Sequence, residues 1–293
     1  NAEHVVRKQV IMRGQVAYEW VKDKVQSWAS PVSEQDFNEG EGDFVFENGL
    51  YRPNDLFRVK VLGMFPKVAE DILIPYEWIE LANQRWLALN EEGFEPSGPC
   101  RAGVDVAGMG RDESVVCRRY DNFVPSFERH QSAGKADHMH VAGMITKILQ
   151  NDGSIAFIDT IGEGAGVYSR LCELGYSNAV SCKYSEGAKD HHDITGQHEF
   201  ANMRAYLFWC VRDWLNPKNK MNPALPPNDK FAEEATEIRW KFVSDGRIII
   251  EPKEDIKKRI GRSPDDFDAL ANTFYPQSSE SYLSDADIED DFS

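Results

Sequence analysis

Two aspartates set into apolar strands restrict this chain more than any other feature. Asp105 interrupts Ala102-Gly103-Val104-Asp105-Val106-Ala107, and Asp159 ends Ser154-Ile155-Ala156-Phe157-Ile158-Asp159. Further along, Asp265-Asp266-Phe267-Asp268 opens a helical segment. A carboxylate among Val, Ile and Phe is costly unless something compensates it, and where several acids converge a divalent cation is a common compensation. Side chains alternate along a strand, so Val104 and Val106 share one face and Asp105 points to the other. Asp265 and Asp268 lie three apart and share a helix face, with Ser263 read as the N-cap and Pro264 in the first turn. Each acid alone fits an ordinary cap or turn. Together they call for a fold that brings all three segments to one place.

The order of elements narrows that fold. Strands are expected at 101–107, 114–120 and near 122–127, then a helix at 136–150, a strand at 154–159, a helix at 165–175, a strand at 178–183 and a helix at 199–215. Three hairpin-linked strands followed by alternating helix and strand predict an α/β chain, a mixed sheet with helices on both faces. An extra β-hairpin follows, 238–243 and 247–250, turning at Ser244-Asp245-Gly246, where Asp-Gly tolerates the positive φ of a tight turn. Glycines 162, 164 and 166 after Asp159 let the chain turn sharply at the carboxyl edge of the sheet.

Turn formers across 92–99 mark a boundary, which gives a preceding linker or domain remnant over 1–96, a main unit over 97–276 and an acidic tail over 277–293. Within the first part, helical spacing covers 5–28, a strand-like run covers 56–66, and a helix with Pro75 in its first turn follows. Nothing there has a catalytic spacing.

With 33 Lys and Arg against 49 Asp and Glu, the net charge of −16 opposes a polyanionic partner. The excess is unevenly placed: the three parts carry −7, −3 and −6. Neutralising Asp105, Asp159, Asp265 and Asp268 with metal would bring the middle part to about +1. The five scattered cysteines read as buried reduced thiols, as in an intracellular protein. No apolar run reaches the roughly 18–20 residues that span a bilayer. His138 and His140, or His191, His192 and His198, lack a Cys pair at ligand spacing and read as surface or loop histidines rather than a zinc site.

Four segments, taken in order, resemble the C-terminal nuclease domain of the large terminase subunit of tailed bacteriophages. They are Gly103-Val104-Asp105-Val106-Ala107-Gly108 with Gly110, Asp112 and Ser114; Phe157 through Tyr168; Phe200-Ala201-Asn202-Met203-Arg204-Ala205; and Ser263 through Ala271. The run 57–66 is similar to the family's passage from motor to nuclease. The resemblance implies an RNase H-like fold and an endonuclease that cuts concatemeric double-stranded viral DNA during packaging in the cytoplasm of an infected bacterial host. It also implies the portal and the small terminase subunit as partners.

On this reading two ions, Mg²⁺ or Mn²⁺, suit the hard oxygen donors. Asp105 bridges them, Asp159 and Asp265 take one each, and Asp268 is a fourth or outer ligand. Lys253, Lys257, Lys258, Arg259 and Arg262 are candidates for DNA phosphate contact. Asp266 points elsewhere on its helix. No ATPase site is expected, because the only Gly-Lys, Gly134-Lys135, is followed by Ala136 rather than Ser or Thr.

Three other readings compete. A dinucleotide-binding enzyme fits poorly, since the third glycine comes one residue early for Gly-x-Gly-x-x-Gly. A Holliday-junction resolvase on the same fold would cut branched DNA. A non-catalytic docking module of the packaging motor would bind partners through the acidic tail and N-terminal region.

Overall fold

The computed structural model describes residues 44–47, 50–53, 71–108, 113–131 and 137–276. The readings at 5–28, 56–66 and the acidic tail lie outside the described residues. Strands β1 (Phe44–Glu47) and β2 (Leu50–Pro53) form an antiparallel pair. Helix α1 (Tyr76–Glu91) begins after Pro75, which is the N-cap rather than part of the first turn.

Five strands form the main sheet: β3 (Arg101–Asp105), β4 (Ser114–Arg119), β5 (Phe127–His130), β6 (Ile155–Asp159) and β7 (Ala179–Cys182). Their order is β5-β4-β3-β6-β7, antiparallel through the first three and parallel from β3 to β7. This is the mixed sheet that the sequence predicts. One strand is displaced: apolar Phe123 and Val124, expected in the third strand, sit buried in the connection, where Val124 donates its N–H to the Ala224 carbonyl, and pairing resumes at Phe127.

Helices cover both faces. On one side α2 (His138–Leu149) and α3 (Gly164–Glu173) pack Val141, Ile145, Val167 and Leu171 on Ala102, Val104, Val116 and Ile158. On the other side lie α4 (Met203–Leu215), α5 (Asp229–Glu237), α6 (Lys253–Ile260) and α7 (Asp265–Asn272). Phe208, Phe231, Ile256, Ile260, Phe267 and Leu270 form the core there with Val115 and Cys117. Residues on successive strand positions thus serve opposite cores, as the period of two requires. Leu73, Ile74, Tyr76 and Ile79, from the region before the turn-rich 92–99, enter this second core as well.

A second sheet has the order β10-β11-β9-β8, from β8 (Ala188–His192), β9 (Glu199–Phe200), β10 (Trp240–Phe242) and β11 (Ile248–Ile250). The hairpin expected from Asp245-Gly246 is its β10-β11 edge. Residues 199–200 belong to this sheet rather than to a helix; α4 starts at Met203 because the Asn202 side chain accepts the Ala205 N–H at 2.9 Å.

Among the described residues no helix is long and apolar enough to cross a membrane. All five cysteines are free; Cys100, Cys117 and Cys182 are buried, whereas Cys172 is exposed and Cys210 half-buried.

Candidate active site

Strand parity and register together place the acids. Val104 pairs with Ile158 across the parallel β3-β6 ladder, so Asp105 and Asp159, one residue further on each strand, end adjacent strands on the same face. Neighbouring strands run about 4.8 Å apart. Gly164 permits the tight turn beyond β6: a Cβ there would lie 1.8 Å from the Asp159 carbonyl oxygen. The Asp159 carboxylate accepts the Ile161 N–H at 2.9 Å.

Helix α7 brings the other acids onto this edge. Its fully buried Phe267 and Leu270 anchor it, each such burial contributing about 1.5–3 kcal/mol. The Asn272 amide donates to the Val104 carbonyl at 3.0 Å, and Arg101 and Arg119 donate to the Thr273 carbonyl at 2.6 and 3.0 Å, where cations complement the helix C-terminus. At the other end the N-cap is Pro264, not Ser263, and the Phe267 N–H is taken by the Glu234 carboxylate of α5 at 3.0 Å. The cap that the sequence reading sought locally comes from a distant helix.

The four aspartates meet around Lys253, the first residue of α6. Its Nζ lies 2.7 Å from Asp268 Oδ2 and 3.6 Å from Asp105 Oδ2. Burial raises the Asp105 carboxyl to about 7 against the pull of Lys253, with the charges of Asp268 and Asp159 adding to the rise. Asp265 is raised to about 8 by burial and then by Asp105, and Asp159 to about 6, chiefly by burial. Burial opposes the charge on Lys253, but Asp268 and Asp105 outweigh it and hold the ammonium well above its ordinary range.

Asp266 faces away, as its helix position predicts. Its fully buried carboxylate accepts from Arg129 Nε at 3.1 Å and Asn228 Nδ2 at 2.7 Å, and Lys230 is nearby. This is a structural network linking β5, α5 and α7. Glu163, beside Asp159 in sequence, is bonded to His138 Nε2 at 2.8 Å. Arg204 donates to the Glu251 carbonyl at 2.5 Å and stacks on Phe208.

Of the five basic residues expected to contact phosphate, Lys253, Arg259 and Arg262 are engaged with acids of the protein. Lys253 is turned into the aspartate cluster. Arg259 is buried between Glu237 and Glu251. Arg262 pairs with Glu233 at 2.5 Å and Glu234 at 3.6 Å. Lys253 and Arg259 belong to helix α6, which the sequence does not disclose, and Arg262 follows it; Arg259 and Arg262 reach acids of α5, whereas Lys253 meets the aspartates. Lys258 lies on the exposed side, ion-paired with Asp255 at 3.1 Å, and Lys257 is half-buried.

The raised carboxyls make a testable link to stability. A group that binds its proton more tightly folded than unfolded stabilises the fold while protonated, and that stabilisation is lost as pH climbs from the unfolded to the folded value. For Asp159, Asp105 and Asp265 the window runs from 3.8 to about 6, 7 and 8 respectively. In chelator the protein should therefore lose on the order of 1–4 kcal/mol between pH 5 and pH 8.5, and a divalent cation that these carboxylates bind should restore it at the higher pH. Urea unfolding measures this; equal or greater stability at pH 8.5 in chelator would contradict it.

Helices flank the five-stranded mixed sheet, which carries acids at the ends of its central parallel strands, as expected of an RNase H-like fold. Among solved structures, the nuclease domain of the large terminase subunit gp2 of bacterial virus Sf6 superposes with a TM-score of 0.57 at 20% identity, covering 70% of this chain and 99% of that one. A lysine-to-alanine variant of that domain, solved with manganese, gives 0.53 at 20% identity over the same shares. The large terminase nuclease of thermophilic phage G20c, solved with magnesium, gives 0.40 at 16% identity over 61% of this chain and 82% of that one. No family model matches the sequence, and neither does any curated protein. The chain thus has the fold of a large terminase nuclease domain, as its sequence motifs anticipate.

Proposed function

We propose that this chain is a divalent-metal-dependent endonuclease of a viral DNA-packaging terminase, acting on double-stranded DNA in the cytoplasm of an infected bacterial host. One observation carries the reading: Asp105, Asp159, Asp265 and Asp268, spread over more than half the chain, share one sheet edge of a terminase nuclease fold. The nuclease unit is 97–276 in this reading, with Leu73, Ile74 and α1 packed into its core. The Sf6 domain was solved with manganese, and the same hard-ion chemistry suits the donors here. Portal and small terminase subunit are the proposed partners.

The residues fit such an ion. The donors are carboxylate oxygens only, and Asp268 Oδ1 is buried with no hydrogen-bond partner among the described residues. Asp105 would bridge two ions, with Asp159 and Asp265 each holding one and Asp268 in support. Bound there, Mg²⁺ or Mn²⁺ supplies an activated water and charge stabilisation at the leaving oxygen. Burial of Asp265 and Asp268 keeps competing water from their free oxygens, and α7 fixes both against Asp105. Lys253 supplies counter-charge to Asp268 and Asp105 and holds them in position. Lys258 is the phosphate contact that this geometry leaves exposed, with Lys257 beside it on α6 as a second candidate; an exposed pair such as Lys258–Asp255 is worth little and opens readily for DNA.

Supercoiled plasmid tests the proposal directly. Nicked and linear products should accumulate with Mg²⁺ or Mn²⁺ and stop with chelator, and branched junctions should be cut no faster than linear duplex. Absence of cleavage with either ion would remove the enzymatic reading, and preference for junctions would favour a resolvase.

A further inference from the structure

Two strands away from the aspartates, the same edge of the main sheet carries a second group of metal-ligating side chains. His130 ends β5, Asp137 is the N-cap of α2, and His140 lies in the first turn of that helix. One ligand atom from each lies within 4.8 Å of the others. We propose that His130, Asp137 and His140 form a site for a borderline-soft divalent cation such as Zn²⁺, separate from the carboxylate cluster and pinning the end of β5 to the start of α2.

Several observations agree on this. His130 Nε2 is shut off from solvent and has no hydrogen-bond partner among the described residues, although Asp137 Oδ2 lies 3.4 Å away. That separation is long for a charge-assisted hydrogen bond, yet it matches the edge of a tetrahedral site with bonds near 2.0–2.1 Å, roughly 3.3 Å. The His130 and His140 rings stack with centroids 3.9 Å apart, and the exposed His140 ring has room to turn out of that stack and direct its in-plane lone pair at the ion. Asp137 is held in place by its other oxygen, which accepts the His140 N–H at 3.1 Å. A cation at a helix N-terminus meets an opposing dipole, which the Asp137 charge offsets.

Two imidazoles and one carboxylate select Zn²⁺, Co²⁺ or Ni²⁺ over Mg²⁺, the reverse of the all-oxygen aspartate cluster. Exposure of His140 leaves a fourth position for water. The site also sits close to the catalytic edge: His130 pairs with Ser114, whose hydroxyl accepts the Ala107 N–H at 3.0 Å, two residues beyond Asp105. Sequence spacing hid it, because the ligands come from a strand end and a helix start, and His140 without His130 has no partner.

The test is calorimetric titration of the untagged full chain with Zn²⁺ in excess Mg²⁺, which occupies the hard-ion site. Wild type should bind one equivalent, with its unfolding temperature raised. Asp137→Asn keeps the helix cap and His140→Gln alters an exposed side chain, so both should fold and both should bind Zn²⁺ on the order of 10–100-fold more weakly. Asp105→Asn should leave the equivalent intact. Wild-type-like binding in the first two variants, no Zn²⁺ uptake by wild type, or loss of the equivalent in Asp105→Asn would each overturn the proposal.

Discussion

Replacing Asp105 with asparagine is expected to lower Mg²⁺- or Mn²⁺-dependent plasmid nicking by about a hundred- to thousand-fold while leaving the protein at least as stable at pH 8. Activity falls because asparagine is near-isosteric but brings no negative charge to the position that would bridge the ions, and effects of that size follow removal of one group that stabilises developing charge. Stability holds for the opposite reason. Ionised Asp105 lies beside Asp265, Asp268 and Asp159, and its burial in their company is what lifts its carboxyl to about 7. Removing that charge relieves repulsion, and Lys253 retains Asp268 at 2.7 Å. Nicking rates and urea unfolding on the same preparation separate the two effects. Undiminished nicking would sink the assignment of Asp105, and a large loss of stability would mean that the acid serves the fold rather than the reaction.

The parts of the site that could be read in the sequence are those dictated by strand parity. Asp105 alternates with Val104, so one must face the core beneath α2 and α3 while the other faces α7; the register Val104 to Ile158 then sets Asp159 alongside. The helix spacing of Asp265 and Asp268 worked the same way. What escaped was polar or charged structure held by distant partners. Helix α5 has no counterpart among the elements expected from the sequence; its Glu233, Glu234 and Glu237 are buried because Arg259 and Arg262 of the following segment reach them. Helix α6 shows only Ile256 and Ile260 as apolar anchors among charges. Strand β8, Ala-Lys-Asp-His-His, has little strand propensity and buries only Ala188, as an edge strand can. Lys253 was legible as a cation but not as a partner of the aspartates, since its direction depends on where α6 begins.

Gly103→Ala should cost more than its single added methyl group suggests. A Cβ at Gly103 would lie 1.9 Å from the Ala269 carbonyl oxygen, 2.9 Å from the Thr273 amide nitrogen and 3.0 Å from Asn272 Cβ. The two nearest atoms are backbone of α7 and of its C-cap Thr273, so no side-chain rotation relieves the clash and the helix itself must move away from β3. That movement strains the Asn272 to Val104 bond and the Arg101 and Arg119 contacts at Thr273, all of which hold α7 on the sheet. Overpacking of this kind costs about 1–3 kcal/mol, and here the displaced element also carries Asp265 and Asp268. The variant should therefore lose divalent-dependent nicking even at temperatures where it remains folded. Gly143→Ala provides the contrast: it lies within α2 with nothing within 4 Å of its added Cβ, and alanine there should stabilise by about 0.5–1 kcal/mol. Urea midpoints for the two variants should move in opposite directions. A Gly103→Ala protein with wild-type stability and nicking would show that α7 does not approach β3 as closely as the site requires.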